Sequence, residues 1–273
     1  MHFGRQAAIG ARAFRHIQAL FHAESGIHLA EGKQALVASR LRKRLEALGL
    51  ADFDAYCAFI EGGEGGAERR LLIDLLTTNE TYFFREPMHF GHLAENVLPT
   101  LPGRGVRIWC AAASSGEEPY SIAMTLDAGL GHADWEIVGT DLSRRVLARA
   151  ADGLYPMARI DHLPPDFLKR YCLRGTGAYA GMLRIAPQLR ARMRFAEHNL
   201  LHRPTALGQF DVIFLRNVLI YFDAPTRERI VRQALDALRP GGWLYIGRAE
   251  SLHGLALPLA GEQPSIYRKL PCA

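Results

Sequence analysis

Apolar residues recur every three or four positions along the first third of the chain, then gather into short unbroken runs. In "KQALVASRLRKRLEALGL", Leu36, Val37, Leu41, Leu45 and Leu48 keep the spacing of one helical face, and Gly49 is placed to stop the helix. Upstream, Phe14, Ile17, Leu20 and Phe21 share a face in the same way. "DFDAYCAFIEGG" opens on an aspartate cap, "EGGEGG" reads as a turn, and "AERRLLIDLLT" gives a further helix. "PMHFGHLAENVL" starts with proline in its first turn, where the missing N–H does no harm. Residues from about 11 to 98 therefore read as helical.

Beyond Pro99 the period changes. "VRIWCAAA", "WEIVGTD" and "FDVIFLRN" are buried-strand patterns, each followed by a helical one: "GEEPYSIAMTLDAGL", "SRRVLARAADGLY" and "APTRERIVRQALDAL". The turn "RPGG" leads into "WLYIGRAES", and "SIYRKL" supplies a last strand. Strands alternating with helices predict an α/β fold, a parallel, doubly wound, Rossmann-like sheet. One stretch interrupts the alternation, "RYCLRGTGAYAGMLRIAPQLRARMRFAEHNL", whose glycines and short alternating runs suggest a small antiparallel β excursion. The expected organisation is an all-α N-terminal domain over 1–88 and a sheet domain over 89–273, with a β-subdomain inserted at about 168–196.

Composition adds little to this picture: 49% hydrophobic and 22% charged residues suit an ordinary globular core. Cys57, Cys110, Cys172 and Cys272 are scattered without metal-ligand spacing, which points to a reducing cytoplasm and no structural metal. No apolar run is long enough to span a membrane. The basic start "MHFGRQAAIGARAFRHIQALF" reads as a transit peptide or as an amphipathic first helix. The net charge of +5 is uneven, with five cations and no acid from Lys33 to Arg44. Such a patch suits an acidic partner, or is simply a solvated face.

The chemistry-bearing residues fall at the carboxyl ends of the predicted strands, where doubly wound sheets hold their ligands. "CAAASSGEEPYS" is neither a GxGxxG fingerprint nor a P-loop. Glu117 and Glu118 stand where a phosphate would need cations, so the loop favours a ligand bearing an ammonium or sulfonium. Asp141 ends the second strand and suits the hydroxyls of an adenosine ribose, or caps the next helix. Asn199, in "AEHNLL", is placed for an adenine edge. Arg216 and Asn217 emerge from a buried strand, as site residues or as a cap and a surface arginine. S-adenosylmethionine fits this set better than a dinucleotide. "NVLIY" after Arg216 also lacks the Pro-Pro loop common in methyltransferases acting on nucleic-acid amino groups.

Seven blocks, in order, resemble the chemotaxis-receptor glutamate methyltransferases, the CheR family: "LVASRLRKRLEALGL", "LTTNETYFFRE", "IWCAAASSGEEPYSIAM", "GTDLS", "HNLL", "FLRNVLIYFD" and "LRPGGWLYIG". The resemblance implies transfer of a methyl group from S-adenosylmethionine to receptor glutamates, with S-adenosylhomocysteine as product. By motif position it implies cofactor contacts at Asn79, Thr81, Arg85, Glu117, Asp141, Asn199, Leu200, Arg216 and Asn217, with Glu118 an alternative to Glu117. Arg85 and Tyr221 are expected to hold the acceptor carboxylate. Arg40, Lys43 and Arg44 are expected to face an acidic receptor coiled coil. Some members dock a receptor's C-terminal peptide on the β-subdomain. Gly247-Arg248-Ala249-Glu250 departs from the Gly-His-Ser-Glu common in the family, so no role is carried over there. A cytoplasmic monomer acting on protein, with no nucleic acid and no membrane insertion, is the expectation. The alternatives are a non-catalytic cofactor-binding module and an RNA methyltransferase.

Overall fold

The computed structural model describes residues 8–63, 65–101, 105–131 and 133–271. The first seven residues, Glu64 of the glycine-rich turn and Cys272 lie outside them. The chain divides into two compact units: Met1–Thr78 with Tyr221–Asp223, and Asn79–Ile220 with Ala224–Ala273. The division falls at Thr78, ahead of the residue 88 at which the sequence pattern closes the helical part. Among the described residues no helix is long and apolar enough to cross a membrane.

The first unit contains α1 (Ala11–Ser25), α2 (Gln34–Leu48), α3 (Phe53–Glu61) and α4 (Gly66–Leu76). Asp52 caps α3 by accepting the amide of Ala55 at 2.8 Å, and Gly49 ends α2 in the left-handed region. The buried face of α2 is Val37, Ala38, Leu41 and Leu45. Leu36, placed on that face by its spacing, is exposed because the helix turns Ala38 inward instead.

The polar side of α2 is also partly committed. Arg40 donates to the carbonyls of Leu76 and Thr77 at 2.7 and 3.1 Å, closing the end of α4. Arg44 grips buried Glu68 with two hydrogen bonds, at 2.9 and 2.7 Å, and Tyr56 donates a third at 3.0 Å. The bond to Glu68 raises the Arg44 pKa further. Of the three cations expected to face a partner, Lys43 alone is exposed, and Arg40 and Arg44 are half-buried. The loop residue Tyr221 lies in this unit, its carbonyl accepting from the amide of His28 at 3.4 Å.

The second unit begins with α5 (Met88–His92), which runs through a π turn at Leu93–Val97 into a 3₁₀ turn at Leu98–Thr100. There follow β1 (Val106–Ala111), α6 (Glu117–Leu130), β2 (Trp135–Asp141), α7 (Arg144–Asp152), β3 (Leu154–Pro156), α8 (Pro165–Tyr171), β4 (Cys172–Arg174), β5 (Met182–Ile185) and α9 (Pro187–Arg190). The unit closes with β6 (Met193–Glu197), β7 (Phe210–Leu215), α10 (Ala224–Ala237), β8 (Leu238–Ile246), β9 (Leu259–Gln263) and β10 (Ile266–Lys269).

Seven strands form a mixed sheet in the order β6-β2-β1-β7-β8-β10-β9. The first five run parallel, and β10 is antiparallel to both β8 and β9. The reversal of strand order between β1 and β7 opens the crevice at their carboxyl ends. A separate antiparallel sheet, β3-β5-β4, is the β excursion. It opens at Leu154, earlier than 168, and β6 belongs to the large sheet. "RPGG" is not a free turn: it starts β8, and a register shift between Phe210 and Val212 absorbs its glycines. β9 had no clear pattern in "LAGEQ". The core is dense around the middle strands, where Phe214 stacks on Tyr245 with centroids 4.4 Å apart.

Candidate active site

The loop after β1 is shaped for close approach. Ala112, Ser114 and Gly116 all have positive φ, at 63°, 49° and 98°. A Cβ at Gly116 would meet the Tyr155 hydroxyl at 2.7 Å, so glycine is required there. That hydroxyl donates to the carbonyl of Ser115 at 2.7 Å, tying the small sheet to the loop.

Glu117 opens α6 with only 1% of its surface exposed. Ser115 donates to its Oε2 at 2.7 Å, while Oε1 is buried without a hydrogen-bond partner. Burial raises its pKa despite the opposing Ser115 bond. A buried carboxylate oxygen left unpaired is unfavourable unless a cation completes it. The ammonium of S-adenosylmethionine is such a cation, and the donor set fits it. Glu118 differs, because its Oε2 takes Arg216 Nη1 at 2.5 Å and its Oε1 takes the Cys110 thiol at 3.0 Å.

At the end of β2, Asp141 accepts the amides of Ser114 and Ser143, at 2.9 and 3.0 Å, one on each oxygen. The carboxylate thereby braces the β1 loop against the start of α7. Asn199, just after β6, closes a turn by accepting the amide of Leu201 on its side-chain oxygen at 3.0 Å. Leu200 is half-buried beside it. His198 packs edge-on to Trp109 and its neighbour His202 is exposed. Among the described residues no group of three or more His, Cys, Asp or Glu could hold a metal ion.

The polar-aromatic stretch Asn79–Glu86 belongs wholly to this unit. Phe83 is fully buried against Tyr155 and Phe84 packs on Phe90, so the aromatics anchor the segment in the sheet's core. The Phe84 amide donates to Ser121 Oγ at 2.9 Å, and Phe84 and Glu86 both have positive φ. Asn79 accepts Ser114 Oγ–H on its carbonyl at 3.1 Å, which brings it to the β1 loop. Thr81 is buried, and Arg159 donates to its carbonyl at 3.4 Å. Arg85 is half-exposed, bonded to the Glu80 carbonyl at 3.1 Å and lying 5.8 Å from the centre of the Tyr82 ring.

Arg216 is the hub. Its side chain is fully buried, with Nη1 on Glu118 and Nη2 on the Arg85 carbonyl at 2.6 Å and on Glu86 at 3.1 Å. Asn217, at φ 55°, donates its side-chain amide to Glu86 at 3.2 Å. Burial pushes the Glu86 pKa upward, but Arg216 and the donated hydrogen bonds outweigh it and hold the carboxyl below its ordinary value. Glu250 accepts four backbone amides, from Asn217, Leu219, Ile220 and Gly247. The sequence reading gave Arg216 and Asn217 to the cofactor. The Nη atoms of Arg216 and the side-chain amide of Asn217 hold the segment and the strand ends together, while Arg216 Nε is buried without a partner. The sequence pattern marks neither Glu86 nor Glu250, although Glu86 directly follows Arg85 and Glu250 ends the turn Gly247–Glu250.

Fold and crevice define a class: a Rossmann-like methyltransferase whose cofactor is S-adenosylmethionine. Known proteins narrow it. Residues 79–260 match the family model described as "CheR methyltransferase, SAM binding domain", and residues 12–77 match "CheR methyltransferase, all-alpha domain". The chain belongs to the CheR methyltransferase family. It is 40% identical over 266 residues to a "Chemotaxis protein methyltransferase" of Salmonella typhimurium, covering 96% of this chain and 92% of the relative. Proteins of the same description from Klebsiella aerogenes and Escherichia coli are 44% and 41% identical. They cover 93% and 95% of this chain and 88% and 91% of their own lengths.

Proposed function

We propose that this methyltransferase esterifies the side-chain carboxylates of glutamates on chemoreceptor cytoplasmic helices, as part of chemotactic adaptation. The observation that carries the reading is the buried Glu117 carboxylate with one oxygen unpaired, in a crevice whose chain belongs to a family of chemotaxis methyltransferases. When bound, the cofactor supplies a methyl group already activated on a sulfonium and leaves as S-adenosylhomocysteine.

The residues then have little proton chemistry to perform. A glutamate with an ordinary pKa of about 4.3 is ionised at neutral pH, so no general base is required. Catalysis reduces to placing a carboxylate oxygen in line and excluding water. Glu117 is assigned to the ammonium, Asp141 to the ribose hydroxyls, and Asn199 with Leu200 to the adenine. Asn79 and Thr81 complete the cofactor side. Arg85 has donors to spare beyond its bond to Glu80 and is assigned to the acceptor carboxylate. For Tyr221 the same assignment rests on the family resemblance alone.

The small sheet adds a second contact to the reading. A groove of about 370 Å³ is lined by Leu154, Leu173, Arg174, Thr176, Tyr179 and Arg184, and Leu173 and Tyr179 are more than half exposed. Two arginines beside an exposed leucine and tyrosine suit a receptor's C-terminal peptide, with its carboxylate and apolar side chains. A cytoplasmic, monomeric enzyme is part of the same proposal.

The test is to incubate the protein with methyl-labelled S-adenosylmethionine and either a receptor cytoplasmic fragment or RNA. Label on the receptor fragment that alkali releases supports a glutamyl ester. Label on RNA, or cofactor binding without transfer, overturns it in favour of an RNA enzyme or a binding module.

A further inference from the structure

Four arginines gather where the carboxyl ends of the strands meet the Asn79–Glu86 segment, and three are occupied. Arg216 has both Nη atoms spent inside the network and lies buried, its Nε without a hydrogen-bond partner. Arg85 bonds the Glu80 carbonyl and Arg159 the Thr81 carbonyl. Arg248 is different: it is exposed, and its guanidinium makes no hydrogen bond or ion pair among the described residues.

Its backbone is nevertheless fixed. The Arg248 amide sits 3.3 and 3.2 Å from the two oxygens of Glu86, the same carboxylate that accepts from Arg216 and Asn217. The residue before it is equally constrained, because a Cβ at Gly247 would meet Asn217 Nδ2 at 2.5 Å. The partner turn shows the same build. Ile220 is half exposed, at 50%, while its amide is held by Glu250 at 3.3 Å. A solvated surface arginine has no need of a backbone pinned to a half-buried carboxylate. Here one exposed cation and one exposed apolar side chain hang from the two carboxylates that set the crevice's edge.

We propose that Arg248 and Ile220 form a recognition rim at the carboxyl ends of β7 and β8. It selects acceptor glutamates that have a further acidic residue and an apolar residue nearby on the substrate helix. This rests on the reading that receptor glutamates are the substrate, and it adds what decides among them. The logic is charge complementarity: Glu117 is assigned to the cationic cofactor, and the exposed cation of Arg248 faces an anionic substrate. The rim's contribution lies in discrimination between acceptors, not in the transfer itself.

Two versions of one receptor cytoplasmic fragment test it: the unaltered sequence, and one in which acidic residues a helical turn from the methylated glutamate are changed to glutamine. The wild-type enzyme prefers the acidic version in kcat/KM. Arg248→Ala lowers that preference about three- to tenfold, the scale of one partly exposed charge pair. Arg248→Lys keeps most of it, and Arg248→Glu reverses it. Calorimetric binding of S-adenosylmethionine stays the same in all three, which shows that the variants are folded. An unchanged preference in Arg248→Ala and Arg248→Glu overturns the rim while leaving the receptor reading intact. If the wild-type enzyme methylates neither fragment, the reading fails and the rim fails with it.

Discussion

Glu117 holds a buried charge that the protein alone does not satisfy, and this gives a prediction with two opposite signs. Glu117→Gln removes an unpaired carboxylate oxygen, so the cofactor-free protein gains about 1–2 kcal/mol, a rise of a few degrees in Tm. The same change loses a charge-assisted bond to the ammonium, weakening S-adenosylmethionine binding about 10- to 100-fold. Thermal unfolding without cofactor and calorimetry with it measure the two effects. A loss of Tm together with unaltered affinity would make Glu117 a structural residue only. Arg85→Ala is expected to lower receptor methylation at least about 100-fold with cofactor affinity reduced far less. Near-wild-type methylation by that variant would remove Arg85 from the carboxylate's side.

Among the elements, the segment from Asn79 to Glu86 shows how far a sequence can be read. Its aromatics pack as anchors in the core, and the carbonyls of Asn79 and Thr81 accept from Ser114 and Arg159. What spacing could not show is that Glu86 reaches across to Arg216, Asn217 and Arg248, because those partners lie more than a hundred residues away. The same limit hid the work of α2. Periodicity placed Arg40 and Arg44 on a polar face, but only the packing of α4 shows that Glu68 is buried beneath Arg44. Arg44→Ala should therefore destabilise the helical unit by about 1–3 kcal/mol, because Glu68 is left buried with fewer partners. Lys43→Ala should leave stability unchanged and weaken methylation only at low salt. Urea unfolding and salt-dependent kinetics separate the two; equal stability in both variants would contradict the assignment. The strand pattern, by contrast, was legible because buried parallel strands carry continuous apolar runs. β9, an edge strand with glycine and polar residues, carried no such run.

α5 adds a pH-dependent element. His89 is fully buried, its Nε2 paired with Ser265 Oγ at 2.8 Å, and burial first and Arg216 second lower its pKa to about 3. The unfolded chain binds this proton near pH 6.5 and the folded one does not. Stability is therefore complete above that pH and falls steadily as the pH drops from 6.5 towards 3. Replacing His89 with glutamine should flatten the slope of unfolding free energy in that window. An equal slope in the variant would assign the acid sensitivity to other groups.

At the scale of the whole molecule, charge is arranged by function more than by amount. A net charge of +5 is modest. The sheet unit nevertheless collects Glu86, Glu118 and Glu250 around the strand ends with the buried cation Arg216 among them, keeps Glu117 and Asp141 at the β1 and β2 ends, and leaves Arg248 exposed. That arrangement suits a cationic cofactor and an anionic acceptor, and it asks no general base of the protein. The most direct test of the central claim is peptide mapping by mass spectrometry of a receptor cytoplasmic fragment methylated by this protein. The account predicts methyl groups on glutamate side chains of the receptor helices, lost on mild alkaline treatment and absent without S-adenosylmethionine. Methyl groups found on nitrogen, or no methylation of the fragment by a protein that binds the cofactor, would contradict it.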